Sequence, residues 1–135
     1  MAFQKQNTLN ISLIVPVRND SEYLIHILKS IKTQTLLPNE IIIIDSSSNH
    51  RIKEYLKLNT HEIPIIYHYE DKAYPGKARN LGVQYSNNNC VAFLDSKTIP
   101  QNNWLERYLY LIKAYDSDAV FGVTKFQAKN AFQKL

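Results

Sequence analysis

Four consecutive isoleucines, Ile41–Ile44, stand between two acids, Glu40 and Asp45. Side chains alternate between the faces of a strand, so a strand over Glu40–Ile44 is apolar on both sides. It needs cover above and below, as a central strand of a parallel sheet has. Right-handed crossovers through helices supply that cover on both faces. This one segment therefore asks for a layered α/β domain.

The rest of the chain follows the same alternation. Ile11–Val15 reads as a buried strand ended by Pro16, which has no N–H for a sheet ladder. A helix is expected from Ser21 to Thr33, N-capped by Asp20, with Glu22 in its first turn and Leu24, Ile27, Leu28 and Ile31 on its apolar stripe. Pro38 and Asn39 mark a turn before the isoleucine strand. A short helix His50–Leu58 carries Ile52 and Leu56 inward, and Ile63–Tyr69 is a third strand, held near an edge or a strand start by Pro64. Pro75–Tyr85 reads as a helix packed through Ala78, Leu81 and Gly82. Cys90–Leu94 is a fourth strand, Asn102–Lys113 a fourth helix and Ala119–Thr124 a fifth strand. The expected fold is a three-layer α/β sandwich, a mostly parallel sheet of about five strands with helices on both faces.

Composition narrows the class. At 135 residues and 44% apolar, the chain is one domain with a real core, not a disordered tail. Its apolar runs fall far short of a bilayer span, and Met1–Asn10 is too polar for a secretory leader. The expectation is a soluble cytoplasmic protein, peripheral at most to the cytoplasmic membrane face. The single cysteine, Cys90, sits before Val91, Ala92 and Phe93, which suits a buried thiol better than a nucleophile. A net charge of +4 favours an anionic partner without choosing one.

In open α/β sheets, ligands bind beyond the carboxyl ends of the strands. Those ends carry Pro16-Val17-Arg18-Asn19, Asp45-Ser46-Ser47-Ser48, Asp95-Ser96-Lys97 and Thr124-Lys125. Asp45 either accepts hydrogen bonds from a sugar hydroxyl or base imide, or caps the next helix through the Ser47 or Ser48 amide. Asp95 is a strand-end acid or a turn residue. Lys77 and Arg79, in Pro75-Gly76-Lys77-Ala78-Arg79-Asn80 at a helix start, suit a phosphate or form a solvated basic face. Trp104 reads as an anchor for the last helix. No G-x-G-x-x-G follows the first strand and no phosphate-binding P-loop is present. A phospho-receiver would need acids where Pro16-Val17-Arg18 stand, and no nucleic-acid recognition motif appears.

Five segments, in order, resemble the family 2 nucleotide-sugar glycosyltransferases of GT-A fold. They are Ile11–Asn19; Ser30-Ile31 with Gln34-Thr35, leading to Glu40–Ser48; Ala78-Arg79-Asn80-Leu81-Gly82; Phe93-Leu94-Asp95-Ser96; and Trp104-Leu105-Glu106. The resemblance runs from Ile11 to Val123 and is that of the family's N-terminal, nucleotide-binding half. It implies that Pro16, Val17 and Arg18 line the base and ribose site and that Asp45 binds the nucleoside. Ser47, Lys77, Arg79, Asp95, Ser96 and Lys97 join the nucleotide-sugar site by the same analogy. Ser46 stands where many members carry a second acid.

Asp95-Ser96-Lys97 occupies the place of the family's Asp-X-Asp motif, which would make Asp95 a ligand of Mn²⁺ or Mg²⁺. Its last acid is replaced by Lys97, which reverses the local charge. Either Lys97 neutralises the donor's diphosphate directly, or other residues hold the metal, or activity has been lost. The resemblance further implies a nucleotide-diphosphate sugar donor, a glycan or lipid-linked acceptor, and a general base in a later half. Residues 1–10 are expected as a flexible lead, 11–125 as the nucleotide-binding domain, and 126–135 as a tail inclined to self-association. The rival expectation is a non-catalytic GT-A-like domain that binds a nucleotide or a protein partner.

Overall fold

The isoleucine strand lies where its lack of a polar face demands, inside a sheet and covered on both sides. The computed structural model describes residues 9–125. Four strands, β1 (Ile11–Val17), β2 (Glu40–Asp45), β3 (Ile65–Tyr69) and β4 (Cys90–Phe93), form one parallel sheet in the order β3-β2-β1-β4. Four helices connect or follow them: α1 (Ser21–Lys32), α2 (Arg51–Leu58), α3 (Pro75–Tyr85) and α4 (Trp104–Tyr115).

Strand parity sorts the core into two layers. Leu13, Val15, Val17, Ile41 and Ile43 face Leu24, Ile27, Leu28 and Ile31 of α1 and Ile52 of α2, with Trp104 of α4 packed against them. Ile14, Ile42 and Ile44 face the other way, onto Ala78 and Leu81 of α3. Gly82 is buried there, and a methyl group in its place would run into the Ile14 side chain. The helix can lie this close to the sheet only because residue 82 has no side chain.

Two expectations change. β1 does not end before Pro16; it continues to Val17, with Pro16 opposite Ile44. Even-numbered backbone groups of β1 point toward β4, as the Leu94 N–H bond to the Ile14 carbonyl shows (3.0 Å). β4 pairs no further than Ile14, so the missing N–H of Pro16 points past its end and breaks no ladder bond. Residues 119–124, expected as a fifth strand, form none, and the sheet has four. Phe121 and Val123 are 91% and 93% exposed, so their alternation with small residues meets no neighbouring strand. Residues 1–8 of the expected lead and the whole expected tail, 126–135, lie outside the described residues.

At the amino end of the sheet, Glu40 is buried and fully engaged. Its carboxylate accepts from the Ser12 hydroxyl (2.6 Å), the Asn87 backbone N–H (2.8 Å) and the Asn87 side-chain amide (2.9 Å). Burial alone would push its pKa up, but the donors from Asn87, Ser12 and Asn88 outweigh it and hold the carboxyl below its ordinary value. Cys90 is half-buried beside this cluster, and burial raises its thiol pKa, as an inert structural cysteine requires.

Candidate functional site

The opposite, carboxyl edge gathers Pro16–Arg18, Asp45–Ser48, Lys77, Arg79 and Asp95–Lys97, whereas Thr124 and Lys125, expected there as the end of a fifth strand, have no strand to bring them. β2 delivers Asp45 to it, and the neighbouring chains are tied on either side. The Ser46 N–H donates to the Val17 carbonyl and the Glu70 N–H to the Asp45 carbonyl, both at 2.9 Å. Asp45 itself is 0% exposed, below the surface rather than at an open mouth. One carboxylate oxygen, Oδ1, accepts from the Ser47 N–H at 2.8 Å, a bond that closes the loop after β2 rather than capping α2, which starts only at Arg51. The other, Oδ2, accepts from the Tyr67 hydroxyl, also at 2.8 Å.

From Asp45 a belt of hydrogen bonds runs across the sheet. Buried Ser47 accepts from the Asn19 N–H at its hydroxyl (2.8 Å), and the Asn19 side-chain oxygen accepts from the Ser48 N–H and hydroxyl, each at 3.0 Å. Asn19 takes a left-handed backbone, φ 55°, which an Asn tolerates better than most residues. It stands between Arg18, exposed and without an ion pair among the described residues, and Asp20.

Asp20 corrects its expected role. It occupies the N-cap position of α1 without a capping side-chain bond. Its carboxylate instead accepts from the Ser96 hydroxyl (2.9 Å) and pairs with the Lys97 ammonium (3.5 Å). The loop after β4 is thereby fastened to the start of α1. Lys97 also lies 5.5 Å from the centre of the Tyr23 ring. Asp95, two residues past β4, is held by Arg79 of α3 at 2.6 Å, and its carbonyl opens a turn to the Thr98 N–H (2.9 Å).

Lys77 sits farther along the same edge, paired with Glu70 just after β3. That hydrogen bond and charge hold the Glu70 carboxyl below its usual range, with His68 adding a smaller share. Tyr67 moves the opposite way: burial, then the Asp45 carboxylate beside it, push its phenol strongly up, so its hydroxyl stays a donor.

Tyr67, Glu70 and the true role of Asp20 escaped the sequence reading. Tyr67 pairs with Ile43 in register, two residues before Asp45, and so shares its face. Only the β2–β3 register reveals that, and a sequence does not state a register. Two of the resembling segments turn out to hold architecture. Buried Gln34 donates to the Gln101 carbonyl (2.7 Å), and the Thr35 hydroxyl donates to Glu106 (2.7 Å), so Gln34-Thr35 docks the start of α4 carrying Trp104-Leu105-Glu106.

Asp95 alone makes a poor cation site. Its oxygen is engaged by a guanidinium, and an ammonium stands two residues on. Among the described residues no three His, Cys, Asp or Glu side chains gather as a metal would need.

Comparison with known proteins decides the lineage. The family model "Glycosyl transferase family 2" matches residues 12–134, nearly the whole chain. The chain belongs to this family. An uncharacterized glycosyltransferase of Rickettsia bellii is 32% identical over 127 residues, 94% of this chain and 18% of that protein. The glycosyltransferase GlyG of Streptococcus pneumoniae is 27% identical, over 83% of this chain and 38% of its own length. This family 2 chain thus spans about a fifth to two-fifths of the relatives it matches. In structure it is similar to residues 1–349 of S. aureus TarS in complex with UDP-GlcNAc (TM-score 0.71, 22% identity, 91% of this chain and 38% of that one). The mannosyltransferase PcManGT of Pyrobaculum calidifontis, in complex with GDP-Man and Mn²⁺, follows at TM-score 0.67 and 17% identity, over 77% of this chain and 32% of that one. These likenesses establish the GT-A fold.

Proposed function

We propose that this domain binds a nucleoside-diphosphate sugar and supplies the donor side of a glycosyl transfer. One observation carries the reading: the carboxyl edge sets a buried carboxylate, Asp45, tied through Ser47 to Asn19, beside three cations, Arg18 next to Asn19 in the chain, Lys97 paired with Asp20 and Arg79 paired with Asp95. A nucleoside asks for fixed polar partners and a diphosphate for positive charge, and the edge offers both. The complexes of TarS with UDP-GlcNAc and of PcManGT with GDP-Man support the ligand class.

Transfer forms a bond from an acceptor hydroxyl oxygen, which gives up its proton, to the anomeric carbon as that carbon's bond to a diphosphate oxygen breaks, and negative charge grows on the departing nucleoside diphosphate. Cations held against the departing oxygens stabilise that charge. Since the residues around Asp95 do not suit a divalent ion, Arg79 and Lys97 are assigned this role here. Each must exchange its present carboxylate partner for a phosphate oxygen. The test is a thermal-shift panel of UDP, GDP, TDP and CMP, each with and without Mn²⁺. The expected result is that one nucleotide raises the melting temperature without Mn²⁺. No shift from any of them would overturn the proposal for this chain.

A further inference from the structure

Asp45 cannot touch a ligand directly in this arrangement, since none of its surface is exposed. Its Oδ1 is held by the Ser47 N–H and its Oδ2 by the Tyr67 hydroxyl. Tyr67 is only half-buried, and its ring packs against the core layer that contains Ile41 and Ile43. A ring fixed in that way does not swing aside easily, so the pair is better suited to relay than to opening. We infer that the Tyr67 hydroxyl is the group that meets the nucleoside, and that Asp45 is a positioning residue acting through it.

A phenol has one hydrogen to donate and lone pairs to accept with. The hydrogen is committed to Asp45 Oδ2. What Tyr67 presents outward is therefore an acceptor only, polarised by the carboxylate behind it. Such a group selects a donor: a ribose hydroxyl or a ring N–H of the base. It rejects a ligand that offers a lone pair at the same place. Tyr67 keeps its proton throughout the neutral range, since burial and Asp45 both oppose its ionisation. The inference rests on the nucleotide-binding proposal and adds the residue that would read the nucleoside.

Affinities of UDP, GDP and inorganic pyrophosphate for the 135-residue chain separate the possibilities, measured for the parent, Tyr67→Phe and Asp45→Asn. Tyr67→Phe keeps the ring and removes the acceptor. It is expected to weaken the preferred nucleoside diphosphate about tenfold, the loss of roughly one hydrogen bond, and to leave pyrophosphate unchanged. In Asp45→Asn an amide N–H can face the phenol oxygen, turning the hydroxyl hydrogen outward. The same selective loss is expected there, which keeps the test decisive if Tyr67→Phe fails to fold. Unchanged or tighter nucleotide binding by Tyr67→Phe would overturn the inference, the tighter case meaning that Tyr67 only shields Asp45. Parallel loss of pyrophosphate in both variants would also overturn it, because damage to the fold does not single out the nucleoside. A parent chain that binds none of the three probes would instead defeat the underlying nucleotide proposal.

Discussion

Lys97 is the residue at which this chain parts from the pattern it resembles, and the structure gives the lysine a definite place. Its ammonium pairs with Asp20, and its neighbour Ser96 bonds to the same carboxylate. Both ends of this ion pair are partly open to water, so the pair orders the loop more than it stabilises the fold. If only a metal ligand is missing, Lys97→Asp supplies it two residues from Asp95. The expected outcome is a nucleotide-induced rise in melting temperature that Mn²⁺ enlarges in the variant and not in the parent. A variant as indifferent to Mn²⁺ as its parent would show that position 97 is not what sets metal dependence. At this scale Asp45 was legible, because an acid directly after four isoleucines has to lie at a strand end. Asp20 was misread, since an N-cap pattern describes local spacing and its actual partners, Ser96 and Lys97, lie more than seventy residues away.

The elements themselves were largely written into local pattern. The stripe of α1 and the two-sided apolarity of β2 each admit one environment, and the structure supplies it. Pro16 was harder, because proline reads as a strand stop unless the length of the neighbouring strand is known. Segment 119–124 failed for a related reason: alternation does not state whether a neighbouring strand takes the segment up, and this one pairs with none. Between α3 and β1 the fit hinges on Gly82. Gly82→Val is expected to destabilise the domain by about 2–3 kcal/mol in urea unfolding, as the added side chain forces Ile14 aside. The gain in helix propensity over glycine, at most about 1 kcal/mol, is too small to compensate. Unchanged stability would mean that α3 can lift away from the sheet at little cost.

At the scale of the whole molecule, buried Glu40 and the ion pairs of Lys97, Arg79 and Lys77 lie at opposite ends of the sheet. At the amino end, the donors around Glu40 depress its pKa in the folded state. A depressed carboxyl contributes stability above its unfolded pKa of about 4.3, and loses it as pH falls through the lower folded value. Melting temperature should therefore fall below about pH 4.5, and Glu40→Gln should flatten that decline while lowering stability at pH 7 by about 1–3 kcal/mol. An acid limb of equal steepness in the variant would locate the sensitivity elsewhere. At the carboxyl end, Lys97, Arg79 and Lys77 each already hold a carboxylate, Asp20, Asp95 and Glu70 respectively. An incoming diphosphate thus meets three cations already neutralised by their partners, with Arg18 and Arg51 unpaired among the described residues. Capture there is a swap of partners at contact range, with little electrostatic guidance during approach. The bimolecular association rate should vary only weakly between low and physiological ionic strength, and the dissociation rate should carry most of the salt response.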